Sequence, residues 1–198
     1  MSFRSEHNDI KRIHFFYMVR IITFIILSIP VIILSGRSLS RLTNHGLYRF
    51  LAWECILWLA VSNIRYWFDN PFSIKQIISW ICLFYCIYPV TTGALLMKKL
   101  GKPDQDRDSS LHTFEKTTEL IETGIFKYIR HPLYSSLLFL TWGIFFKHTN
   151  IFLLVIALLS TVFIFATALV EEKENIIFFG EKYKDYMKRT KMFVPFIV

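Results

Sequence analysis

The sequence predicts an all-α, polytopic membrane protein with about five transmembrane helices and a cytosolic C-terminal helical cap. Three observations carry that expectation. The 198 residues are 54% hydrophobic and 17% aromatic, with a mean hydropathy of +0.41, more apolar than soluble domains usually are. The excess is gathered into five long runs. The Lys and Arg residues cluster between those runs and are skewed to one side of the chain they thread.

The runs span residues 13–35, 47–68, 74–97, 133–146 and 151–170. At 1.5 Å per residue, the first three and the fifth each cross roughly the 30 Å of a bilayer's hydrocarbon. The fourth reaches only about 21 Å. It must therefore begin before Pro132, tilt, or sit at a thinned or cavity-lined place. Pro132 suits a first helical turn, where its missing N–H costs nothing. One integral membrane domain, 1–198, is expected. It holds three helices in 1–97, a cytosolic loop over 98–131, a transmembrane helical hairpin over 132–170 and a cytosolic helical tail over 171–198.

Charge orients these elements. The connections 37–49 and 98–130 and the C-terminal tail together carry sixteen Lys and Arg, against six on the opposite side. Arg20, inside the first run, completes the 23. The positive-inside rule places the larger set in the cytosol and the N-terminus opposite. The opening MSFRSEHNDIKR mixes acids with bases and lacks a cleavage site after the first run, unlike a secretory signal. The protein is thus expected to be a multi-pass membrane protein whose working end faces the cytosol. Its compact size suggests a bacterial inner membrane, with the endoplasmic reticulum as the alternative.

Other classes are disfavoured. The net charge of +8 comes without a basic helix, zinc spacing or RNA-binding signature, so the bilayer is the expected partner and nucleic acid is not. Cys55, Cys82 and Cys86 sit in apolar stretches without neighbouring His or carboxylates, which reads as packing and not as a metal site. Asp104, Asp106 and Asp108 alternate in a polar loop, but the glycine and downstream glutamate of a calcium loop are missing. No metal is expected, and the oligomeric state stays open. Two ionisable residues fall inside apolar runs. Arg20 lies about two turns into the first, and Glu54 lies early in the second. Such groups are functional candidates or interfacial residues.

A polar block begins near Thr118. Thr123-Gly124 reads as a turn, and Arg130-His131-Pro132-Leu133-Tyr134 opens the fourth helix. A helix N-terminus there favours an anionic group, with Arg130 and His131 adding polar heads. A short turn over 147–150 makes the fourth and fifth helices antiparallel neighbours, so Glu171-Glu172 should face Arg130-His131. A basic cluster opposite an acidic pair suits a zwitterionic ligand. An interfacial charge belt gives the same pattern.

His131-Pro132-x-Tyr134 within RHPxY, the upstream ELIETGIF, the paired glutamates and the tail FFGEKYKDYMKR resemble the isoprenylcysteine carboxyl methyltransferases and related membrane phospholipid methyltransferases. The likeness covers residues 115–195. It implies an S-adenosylmethionine-dependent methyltransferase acting on a lipophilic, membrane-embedded acceptor: a carboxylate, amine or hydroxyl. The implied cofactor contacts are Glu119, Leu120 and Ile121, then His131, Pro132, Leu133 and Tyr134, and Glu171. Arg130 and Glu172 are implied supports. An amine or hydroxyl acceptor needs a general base, for which Glu172 or Glu54 is the candidate, so Glu172, Glu54 and Arg130 form the catalytic set. The isoprenylcysteine enzymes place an arginine four residues before the cofactor-binding glutamate. Here that position is Thr167, which puts a prenylcysteine carboxylate in doubt unless Arg20 or Lys173 substitutes. The alternatives are an NADPH-dependent membrane reductase of the sterol-reductase type and a non-catalytic membrane protein.

Overall fold

The computed structural model describes residues 2–39, 45–101 and 119–196. These residues form six α-helices: α1 (Ser2–Leu39), α2 (His45–Asn63), α3 (Ile74–Leu100), α4 (Pro132–Phe145), α5 (Ile151–Phe179) and α6 (Glu181–Arg189). Short 3-10 turns, Ile64–Tyr66 and Gly124–Lys127, follow α2 and precede α4. Four helices contain stretches long and apolar enough to cross a membrane: His14–Gly36, Gly46–Tyr66, Ile74–Leu100 and Ile151–Phe179. The fourth expected span is the shorter apolar helix Pro132–Phe145. The loop carrying Asp104, Asp106 and Asp108 lies outside the described residues.

Local chemistry sets the ends. Ser73 caps α3 by accepting from the Gln76 amide, and Asn150 caps α5 through Oδ1 and the Leu153 amide at 2.9 Å. Such caps satisfy amides that a helix start leaves unpaired. α4 begins at Pro132 and not before it. The residues ahead lie outside the helix, where the C-terminal tail pairs with them around an isolated parallel bridge between Ile129 and Lys191. The Arg130 amide donates to Lys191 O at 2.8 Å and the His131 amide to Met192 O at 3.1 Å, while the Lys191 amide donates to Tyr128 O at 2.9 Å.

A second departure concerns Glu171-Glu172. The hairpin was expected to stop there, yet α5 continues unbroken to Phe179. Charge alone does not end a helix. The first breaker after the pair is Gly180, whose φ of +61° is a conformation that disfavours side chains.

The core lies where α2, α4 and α5 meet, around Ile56, Leu59, Leu137, Ile144, Ala157, Ile164 and Ala168. α3 packs along α4, and α1 packs principally on α2. Small residues permit the closest approaches. A Cβ at Gly93 would stand 2.9 Å from Pro132 Cγ, and one at Gly143 would stand 2.9 Å from Leu83 Cδ2. Buried polar ties hold register: Asn63 Nδ2 donates to Ile144 O at 2.7 Å, and Ser79 Oγ donates to Gly143 O at 2.6 Å. Apolar side chains such as Ile33 and Leu34, each 73% exposed, face outward from α1. That arrangement suits lipid and not water.

Candidate functional site

Three segments converge at the N-terminal end of α4: the 119–131 approach, the C-terminal half of α5, and α6 with the strand-like tail behind it. Arg130 Nε donates to Glu172 Oε1 at 2.6 Å, with side chains only 9% and 6% exposed. The same guanidinium donates through Nη1 to the carbonyls of Thr190 and Met187. Arg130 is therefore tied through Nε and Nη1 to α5, to α6 and to the tail. Glu172, one face of a buried ion pair, is committed to holding it.

His131 is 4% exposed. Its Nδ1 lies 3.8 Å from Glu171 Oε1 and its Nε2 lies 3.4 Å from Glu172 Oε1. The second distance lacks hydrogen-bond alignment, and Nε2 is a buried polar atom without a partner. Tyr134 Oη donates to Glu171 Oε2 at 2.6 Å, and its ring stacks on His131 with centroids 5.5 Å apart. Glu171 is the more open of the two glutamates, at 27% against 6% for the side chain. The pair thus divides its labour: Glu172 is buried against Arg130, and Glu171 is presented to a cleft.

That cleft, about 50 Å³, is lined by Met97, Phe126, Arg130, His131, Pro132, Leu133, Tyr134 and Glu171. A second, about 70 Å³, shares Met97, Phe126, Arg130 and Glu171 with it and adds Leu120, Ile121, Asn175, Phe179, Tyr183 and Tyr186. Of the residues singled out in the sequence, Leu120, Ile121, the four from His131 to Tyr134, Arg130 and Glu171 line these two clefts, with Glu172 directly behind. Glu119 is exposed and lines neither. Glu54 sits on α2, where Oε2 accepts from Ser28 Oγ of α1 at 2.7 Å and Oε1 is buried without a partner. No hydrogen bond or ion pair joins it to the cluster among the described residues.

The free helix-start amides expected at Arg130-His131 are spent on the tail. Thr167 is buried, and its hydroxyl is turned back onto Phe163 O at 2.7 Å. Arg20 does not substitute for a cation there, since it lines a cavity between α1 and α2. Lys173 is exposed on α5.

Sequence reading passed over Met97, Phe126 and Asn175. Asn175 had a signal, because it stands four residues after Glu171 on the same helical face. Tyr183 and Tyr186, both 2% exposed, seal the cleft floor. Burial pushes both phenols above their usual range. Tyr186 Oη donates to Phe126 O at 2.7 Å, and Arg189 reaches Glu122 at 2.8 Å, so α6 is pinned to the approach segment.

Residues 92–182 match the phospholipid methyltransferase family model. That match covers just under half of the chain, which is similar to the family over this segment. The methyltransferase-family match begins inside α3, upstream of the motifs, and so includes Gly93 and Met97 against the start of α4. The methanethiol S-methyltransferase of Pseudomonas deceptionensis is 37% identical over 71 residues, which is 36% of this chain and 26% of that protein. The enzyme of the same name from Crocosphaera subtropica is 36% identical over 77 residues, 37% of this chain and 28% of the relative. A longer alignment joins another Pseudomonas methanethiol S-methyltransferase, 26% identical over 145 residues, 73% of this chain and 55% of the relative. The chain thus spans from about a quarter to just over half the length of these relatives. No solved structure matches the chain significantly.

Proposed function

We propose that the protein is an S-adenosylmethionine-dependent methyltransferase whose acceptor reaches the site from the bilayer. The observation that carries this reading is the meeting of His131-Pro132-Leu133-Tyr134 with Glu171 around one cleft, adjoined by Leu120 and Ile121, inside the family-matched segment. The donor set fits the cofactor's chemistry. His131 lines the cleft and makes no hydrogen bond through Nε2, which stands 3.4 Å from Glu172; its ring is the polar group offered to the cofactor's carboxylate. Glu171 is an accessible acceptor steadied by Tyr134, suited to an ammonium or ribose hydroxyls. Met97, Phe126, Ile121 and Phe179 provide apolar walls for an adenine ring.

When bound, S-adenosylmethionine supplies an activated sulfonium methyl group for direct transfer to a nucleophile. The chain's own residues contribute binding, alignment and exclusion of water. Arg130 acts as a positioning residue, since its guanidinium is held by Glu172 and by tail carbonyls. Glu172 remains the candidate base for an amine or hydroxyl acceptor. Glu54, bonded to Ser28 away from the cluster, is the weaker candidate.

Thr167 and the relatives' printed names support a reading of the acceptor class. With no cation at that turn of α5, a carboxylate acceptor has no evident partner, which supports a neutral one. The relatives' name, methanethiol S-methyltransferase, favours a thiol as the second reading beside a lipidic amine or hydroxyl. The charge skew of the connections supports a cytosolic site in a multi-pass protein.

Isothermal titration of the purified chain with S-adenosylhomocysteine in lipid-like detergent tests the proposal. Saturable binding, weakened about tenfold or more in Glu171→Ala by the loss of roughly 1.4 kcal/mol, is expected. A wild-type protein that is folded yet binds none refutes it. Profiling of extracts from cells with and without the protein, for a product heavier by one methylene, then identifies the acceptor.

A further inference from the structure

Away from the cleft, the molecule holds an unpaired cation in a membrane-spanning stretch. Arg20 lies within the span His14–Gly36, and its guanidinium stands 5.5 Å from the Tyr17 ring. No carboxylate pairs with it among the described residues. Arg65, at the far end of α2, lies 4.7 Å from the Phe16 ring and is likewise without a carboxylate partner there. Because α1 and α2 run antiparallel, these two arginines belong to the same end of the protein, and they line one cavity of about 470 Å³.

The rest of that cavity is mostly apolar, with Val19, Leu27, Leu57 and Val61 on its walls and no acidic residue among its lining. Two hydroxyl residues, Thr23 and Ser62, line it as well. Ser62 is 3% exposed, and its hydroxyl has no hydrogen-bond partner. The cavity is remote from the methyltransferase cleft. The α2 end that carries it is tied through Asn63 to Ile144, at the opposite end of α4 from His131. The length of α4 separates them, about 20 Å.

We propose that this cavity binds one anionic glycerophospholipid, its phosphate between Arg20 and Arg65 and an acyl chain along Leu27, Leu57 and Val61. Two unpaired guanidinium groups beside an apolar wall complement a head that is anionic overall, and arginine's planar fork matches phosphate oxygens. A zwitterionic lipid brings its own cation to the same place and is disfavoured. Intramembrane arginines are expensive without a partner, and the bilayer is the abundant source of one. The inference stands apart from the proposed activity, and its test reads no methyl transfer.

Native mass spectrometry of the intact chain in detergent provides that test, with phosphatidylglycerol, phosphatidylcholine or oleate supplied at matched amounts. Wild-type protein should retain one phosphatidylglycerol in preference to the other two. The double variant Arg20→Gln/Arg65→Gln should lose that preference by roughly fivefold per charge removed, while Lys188→Gln, on exposed α6, should not change it. Equal retention of phosphatidylcholine, replacement by oleate, or an unaltered double variant each overturns the proposal. If the double variant fails to fold, the wild-type comparison among the three lipids decides alone.

Discussion

Arg130 Nε meets Glu172 Oε1 at 2.6 Å inside the protein, across 42 residues of sequence. That bond joins the entry of α4 to the middle of α5. Through the Thr190 carbonyl, it also joins both to the tail.

Removing one partner leaves the other buried and uncompensated, which typically costs about 3–5 kcal/mol. Arg130→Ala and Glu172→Ala should each lower the thermal unfolding midpoint in detergent by a similar amount. Arg130→Lys should rescue little, since an ammonium does not reproduce the fork that serves Glu172 and the tail carbonyls together. The double variant Arg130→Ala/Glu172→Ala should be less destabilised than the sum of the two single variants. An additive double variant would show that the pair contributes nothing beyond its separate contacts.

Gly93 faces Pro132 so closely that an added Cβ would stand 2.9 Å from Cγ, with Leu133 Cδ1 at 3.1 Å. Gly93→Ala should push α3 from the start of α4 and cost about 1–3 kcal/mol as overpacking. It should also weaken S-adenosylhomocysteine binding, because Pro132 and Leu133 line the cleft. Gly36→Ala is the control, with nothing within 4 Å of the new methyl. Unchanged binding and melting in Gly93→Ala would show that the two helices slide apart freely.

Lys147, 5% exposed in the turn between α4 and α5, donates to Gln76 Oε1 at 3.0 Å and lies 3.5 Å from the Trp80 ring centroid. Burial pushes its ammonium below the ordinary lysine range. Below the lowered value both folded and unfolded chains carry the proton, and the folded state bears the burial cost. Between the lowered value and the ordinary one, near 10.4, the unfolded chain binds more protons, so stability rises with pH. The melting temperature of wild type relative to Lys147→Met should therefore climb as pH is raised towards that value. The opposite slope would mean that the Trp80 face and Gln76 favour the charged form more than burial penalises it.

The membrane spans were legible because apolar runs of bilayer length need no tertiary information. α1, α2, α3 and α5 each contain the stretch that composition demanded. The approach of Arg130-His131 to Glu171-Glu172 was legible for a related reason. A short turn makes two helices antiparallel, and antiparallel neighbours must bring opposite ends of their sequence together.

Other relationships were decided only by packing. Gly180 was a local stop signal for α5, but nothing local told that Lys191 and Met192 would take the amides of Arg130 and His131. The division of the acidic pair, one glutamate buried on Arg130 and one left open beside Tyr134, depends on helix rotation, which adjacent identical residues cannot encode. Arg20 and Glu54 show the same limit. Their depth in the apolar runs was readable, but their partners were not: Ser28 for Glu54, and for Arg20 a cavity shared with Arg65. Periodicity and charge are properties of one segment and survive in a sequence read alone. Register, rotation and the pairing of distant backbone belong to surfaces that exist only after the helices have packed.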